Sequence, residues 1–132
     1  MNVIVLAGHE AIDETCARLA REAHPIVLYG TGRGGLLAYQ IAARSRRPIA
    51  IVTSTLGFVR RSLVAVLARR ATPVVEPEHF DVCPILLAHP GADRAPDLAY
   101  SRRFFDRLVV PKRMVVGVDP LEAAAAFLAD LY

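Results

Sequence analysis

Residues His24 to Ala43 read HPIVLYGTGRGGLLAYQIAA, and this stretch decides the fold. Pro25 to Tyr29 is a short apolar run with the β-branched content of a buried strand. It stops at a glycine-rich turn, and from about Gly34 to Arg44 the apolar residues recur with the period of a helix. A strand that turns sharply into a helix on glycines is a place where chemistry collects, because the first helical N–H groups are unpaired there. Two patterns overlap on it. Gly30-Thr31-Gly32-Arg33-Gly34 fits G-x-S-x-G, the turn that lifts a nucleophilic serine above a sheet, with glycine in the serine slot. Gly30, Gly32 and Gly35 also fit G-x-G-x-x-G, the turn that cradles a phosphate.

Outward from the turn, the chain alternates strands and helices. Asn2 to Ala7 is a continuous apolar run, which suits a strand buried on both faces of a parallel sheet. Ala11 to Ala23 sets Ile12, Cys16, Leu19 and Ala23 on one face of an amphipathic helix. Pro48 to Thr53 predicts the third strand and Leu56 to Arg70 the third helix; Ala71 to Asp81, with two prolines and no period, predicts a loop. Val82 to Ala88 is the fourth strand, closing on His89-Pro90-Gly91. Pro96 to Leu108 is the fourth helix, with proline at a start that needs no N–H. Arg113 to Val118 is the fifth strand, and Asp119, in the N-cap position, opens a last helix from Leu121 to Leu131. The expected fold is therefore α/β, a three-layer open sheet of about five mainly parallel strands with helices on both faces. Ligands of such sheets sit beyond the carboxyl ends of the strands.

The 132 residues, 54% hydrophobic, suit a single domain over 1–132. The opening MNVIVLAGHE has no basic lead, and no apolar stretch approaches the roughly 18 residues of a membrane span, so the expectation is a cytoplasmic protein without a membrane role. Cys16 and Cys83 belong to no metal-type pair and read as buried thiols, so no metal and no cofactor is expected. Residues 23 to 75 carry eight Arg and no Asp or Glu, although the whole chain is only +3. Several of these arginines close helices, where cations suit the macrodipole. Aromatic residues do not interleave them, so nucleic acid is not an expected partner.

With these elements placed, the chain resembles an α/β-hydrolase over roughly residues 24 to 131. VLYGTGRGGLLAYQIA looks like that family's nucleophile strand, elbow and helix. FDVCPILLAHPGADRAPDLAYSRRFFDRLVVPKRMVV, Phe80 to Val116, looks like its acid-bearing loop between two strands. The resemblance implies that Gly91 and Asp93 stand for the glycine and the catalytic acid, with Pro96 about one position from the usual proline. It also places Gly32 in the nucleophile slot and Val118, within Gly117-Val118-Asp119-Pro120-Leu121-Glu122, in the histidine slot. The usual lid and several strands before the elbow have no counterpart here.

With serine and histidine both replaced, the resemblance implies a relative of serine esterases or lipases that is inactive as a serine hydrolase. His9, beside Gly8 at the end of the first strand, is the candidate for any remaining catalytic histidine. His89 beside the acid loop and Thr31 beside the elbow tip are weaker candidates for a base and a nucleophile. Independently of any family, the backbone of Gly32, Arg33, Gly34 and Gly35 is an anion site at a helix N-terminus, with the Arg33 charge beside it. The alternative reading is a phosphate or phosphosugar binder, because IVLYGTGRGGLLAYQIA is also similar to the opening of sugar isomerase domains. Gly34 replaces their serine, and Val52 to Phe58 lacks their second phosphate loop. A dinucleotide site would need an acid about 20 residues after the glycines, and none occurs before Glu76. A third alternative is a degenerate or engineered scaffold that interacts with other proteins. The expected partners are a small anionic or ester ligand and a second copy joined through a sheet edge.

Overall fold

A computed structural model describes residues 2–54, 76–89 and 95–132. The strands are β1 (Asn2–Leu6), β2 (Ile26–Thr31), β3 (Ala50–Ser54), β4 (Ile85–His89) and β5 (Lys112–Val116). The helices are α1 (Ile12–Ala20), α2 (Arg33–Ser45), α3 (Ala95–Arg107) and α4 (Pro120–Leu131). The helix expected over Leu56 to Arg70 lies outside the described residues. Within the loop expected at Ala71 to Asp81, Pro77–His79 closes a single 3₁₀ turn, fastened to α3 because Arg107 pairs with both Glu76 (2.6 Å) and Glu78 (2.7 Å). That pairing holds the Glu78 carboxyl below the usual range.

The five strands lie in one sheet in chain order, β1-β2-β3-β4-β5, and every pair is parallel. The α/β fold expected from the sequence is the fold observed. Sequential order has a consequence for the layers. A right-handed crossover between neighbouring parallel strands sets its helix on the same side each time. Leu19 of α1, Leu37, Tyr39 and Ile41 of α2, and Phe104 and Phe105 of α3 accordingly share one core with Ile4, Leu28, Ile51, Ile85 and Leu87. There the Tyr39 ring lies 4.7 Å from Phe80 and 5.3 Å, edge-on, from Phe104, geometries that add to simple burial. Helix α4 follows β5 and lies on the other face, where Ala123 and Phe127 cover Val27, Ala50, Val52 and Leu86.

One helix does not cover that face. The apolar run of β1 implied burial on both sides, and the structure corrects this: Ile4 and Leu6 are buried, whereas Val3 and Val5 are 56% and 66% exposed. The uniform hydrophobicity of the run hides the difference between its two faces. Helix α1 also ends before Ala23, which is exposed rather than part of the helix face. Asp119 stands at the N-cap of α4 as expected, but its carboxylate makes no capping bond. Three arginines of the basic middle segment are tied to their surroundings: Arg44 pairs with Asp13 (2.5 Å), Arg46 with Asp81 (2.8 Å), and Arg47 donates to the Glu22 carbonyl. Among the described residues, no helix is long and apolar enough to cross a membrane.

Candidate functional site

The carboxyl ends of β1, β2 and β3 meet at the glycine turn. Gly32 sits between β2 and α2 with φ 56° and ψ −116°, a conformation that costs an L-residue on the order of 1–3 kcal/mol. The turn is closed by contacts that only glycine permits. A Cβ on Gly30 would overlap the Gly34 carbonyl group, one on Gly34 would overlap the Leu6 carbonyl oxygen, and one on Gly35 would overlap the Thr53 hydroxyl. The spacing of Gly30 and Gly34 thus has a steric cause: each side of the reversal touches the other, and the helix starts directly against β1. Leu36 N–H donates to the Gly32 carbonyl at 3.1 Å and begins the helical ladder.

Gly32 presents no side chain at the tip, so the position to which the hydrolase resemblance assigns a nucleophile carries none. Thr31 and Arg33 on either side are exposed, while Gly32, Gly34 and Gly35 are buried. The first turn of α2 holds no acidic residue and its N-cap offers no side chain, so the positive end of that helix is compensated only from outside it.

The β1 loop completes the neighbourhood. Gly8, at φ +115°, packs so closely on the elbow that a Cβ there would stand 2.7 Å from the Arg33 Cβ and 3.2 Å from the Gly34 nitrogen. Its left-handed conformation turns successive amides inward, and the carboxylate of Glu10 fills the resulting cradle. Ala7 and Gly8 N–H donate to it at 2.8 Å each and His9 N–H at 3.1 Å. Burial opposes the charge on Glu10, but the amides of Ala7, Gly8 and Glu10 itself, with His9 nearby, outweigh it and hold the carboxyl down at about 2. These loop amides stand where an anion beside the elbow would look for donors, and the chain supplies its own anion to them.

The other residues singled out in the sequence lie apart. The His9 side chain is exposed, and its backbone is committed to Glu10. His89 ends β4 and is 1% exposed, on the helix-covered side that Ile85 and Leu87 share by alternation. Val118, to which the resemblance gave the histidine slot, is 43% exposed beyond β5, where Gly117 turns at φ +73° after donating to the His89 carbonyl at 2.9 Å. Gly91 and Asp93 lie outside the described residues. Among the described residues, the structure brings together Gly8, Gly32, Arg33, Gly34 and Gly35, and leaves His9, His89 and Val118 at the ends of β1, β4 and β5.

Three features escaped sequence reasoning. Glu10 is one; an acid directly after a strand-ending Gly-His is its only trace in the sequence. Thr53 Oγ1 and Ser101 Oγ are the others, both buried without a hydrogen-bond partner among the described residues, and Thr53 lies hard against the first turn of α2. Cys83 is buried, which pushes its thiol up to about 12, and burial raises the half-buried Cys16 as well, against the pull of Arg44. Among the described residues, no group of three or more His, Cys, Asp or Glu is placed to hold a metal ion. Comparison with protein-family models, with curated proteins and with solved structures gave no match.

Proposed function

We propose that this chain is an α/β-hydrolase-like domain, related to serine esterases and lipases in the shape of its elbow and inactive as a serine hydrolase. The observation that carries the proposal is Gly32 at φ 56° and ψ −116°, between two glycines in mutual contact. This is the sharp strand-to-helix reversal of a nucleophile elbow, with no nucleophile on it. Two further features support inactivity. The amides beside the elbow are engaged by Glu10, so an oxyanion would have to displace a carboxylate. His9, which follows the Gly8 that packs on the elbow, is exposed.

The test is turnover of p-nitrophenyl acetate and butyrate, with fluorophosphonate labelling, by the wild type and by Gly32→Ser. Neither protein is expected to exceed buffer or to take the label, because a serine alone has no base to activate it. Turnover well above buffer that Asp93→Asn or His9→Ala abolishes would overturn the proposal.

A second reading is favoured by the uncompensated first turn of α2 with the exposed Arg33 upon it: weak binding of phosphate or of a sugar phosphate at residues Gly32 to Gly35. Millimolar sugar phosphate is then expected to raise the melting temperature, with Arg33→Ala removing the rise. An unchanged melting temperature would dispose of it. We further propose a cytoplasmic location, which the two free thiols support.

A further inference from the structure

The two edges of the sheet are built differently. At one edge, β5 follows Pro111 and begins with Lys112 and Arg113. Lys112 lies 4.7 Å over the Phe105 ring and donates to the Phe105 carbonyl at 2.7 Å, while Arg113 pairs with Asp130 at 2.6 Å. Charges and a proline at a strand edge oppose the addition of another strand. At the other edge, β1 reads Asn2-Val3-Ile4-Val5-Leu6, with no charge, proline or glycine.

The backbone of β1 is also set for a partner. Asn2 N–H donates inward to Pro25 at 2.8 Å, so by alternation the N–H and C=O groups of Val3 and Val5 point outward. Among the described residues nothing accepts or donates to them. The next outward N–H, that of Ala7, is already bound to Glu10, which ends the open edge there. Two residues with four free backbone groups form a self-complementary set. In an antiparallel pair about a two-fold axis at Ile4, Val3 would lie opposite Val5 of the second copy and Val5 opposite its Val3. Each pair then exchanges two N–H···O=C bonds. The same pairing sets four valine side chains together on the face that α4 leaves uncovered, beside the half-buried Tyr29, the register partner of Val5.

Helix α1 agrees with that arrangement. The Asp13–Arg44 pair marks the flank of α1 that looks toward α2. At 100° per residue, Glu14 and Arg18 turn to the opposite flank, on the side of the open edge, and both are exposed. The same axis runs the two α1 helices antiparallel, so that Glu14 of each copy faces Arg18 of the other. Strand pairing alone falls short of the roughly 800 Å² per partner of a standard interface, and the α1 flank supplies further area of matching charge.

We propose that a second copy of this chain docks on β1, giving an isologous dimer with one continuous ten-stranded sheet. The proposal is independent of what the elbow binds. The experiment is sedimentation velocity of the full chain from micromolar to about 1 mM. The wild type is expected to dimerise. Val3→Lys and Val5→Lys, whose side chains already lie at the surface, are expected to weaken the dimer about 100-fold or more while leaving circular dichroism and thermal melting of the monomer unchanged. Glu14→Arg is expected to weaken it, and Glu14→Arg with Arg18→Glu to restore it, a rescue that a general loss of folding would not produce. A monomer at every concentration overturns the proposal. So does a dimer indifferent to the lysines, or one that the charge exchange fails to restore.

Discussion

Replacing Glu10 by glutamine is the most informative single change to the neighbourhood of the elbow. The side chain keeps its length and one acceptor oxygen, so the perturbation is the loss of the charge and of one of the two acceptor oxygens in a cradle of amides. The native carboxyl is held at about 2 against an ordinary 4.5, which corresponds to at most about 3 kcal/mol favouring the charged form in the folded protein. Glu10 is only half-buried and water screens part of this, so about 1–2 kcal/mol is the expected loss at pH 7. For a domain of this size that amounts to a fall in melting temperature of about 3–6 °C. The sign with pH follows from the direction of the shift. A carboxyl depressed on folding contributes its stability fully above the unfolded value near 4.5, and loses it as pH falls through the folded value near 2. The difference between wild type and Glu10→Gln, measured by urea unfolding from pH 7 to pH 2, is therefore expected to be constant down to about pH 5 and then to shrink toward zero. A difference that does not change with pH, or no difference at neutral pH, would refute the account of Glu10 as an anion held by backbone amides.

Other substitutions probe the turn and the core separately. Gly34→Ala drives a methyl into the Leu6 carbonyl, which is backbone and cannot swing aside, so denaturation should show a loss of about 3 kcal/mol or more. Thr53→Val removes a buried hydroxyl that has no partner among the described residues while keeping its shape; chemical unfolding should find it neutral or up to about 1 kcal/mol more stable. Gly35→Ala should be destabilising alone and markedly less so on a Thr53→Ala background, because the two compete for one space, a coupling that a double-mutant cycle measures directly. Cys83 should resist alkylation by iodoacetamide until the chain is unfolded, whereas the half-buried Cys16 should react in the native state, which mass spectrometry of the labelled peptides distinguishes.

Most of the sheet was legible because buried parallel strands announce themselves as short apolar runs: VIVL, IVLY, AIVT and ILLA all proved to be strands. Strand β5 was legible too, although its Lys112 and Arg113 belong to an edge and only its second half is apolar. The elbow could be placed because close backbone approach leaves glycine as the only fit, and glycine spacing survives in the sequence. What could not be read depended on how elements face one another. Nothing in VIVL says that two of its side chains meet a helix layer and two meet solvent, since all four are equally apolar. Glu10 was invisible because its role is created by three amides that converge only once Gly8 adopts a positive φ. The absence of a side chain at the tip of the turn, by contrast, is a property of one letter, Gly32, and its backbone conformation adds the reason that glycine sits comfortably there.

The order of the strands also bears on how the molecule comes together. Every strand pairs with the next strand in the chain, from β1 through β5, so no pairing has to wait for a distant segment to arrive. Each step closes a loop of similar, moderate length, and loop-closure entropy grows only slowly with length. Folding can then advance by laying one βα unit beside the last, as in a short solenoid. Shortening the chain from the β5 end should peel away a strand and, with α4, uncover Val27, Ala50 and Val52, while the backbone contacts of the glycine turn with β1 and with Thr53 involve neither lost element.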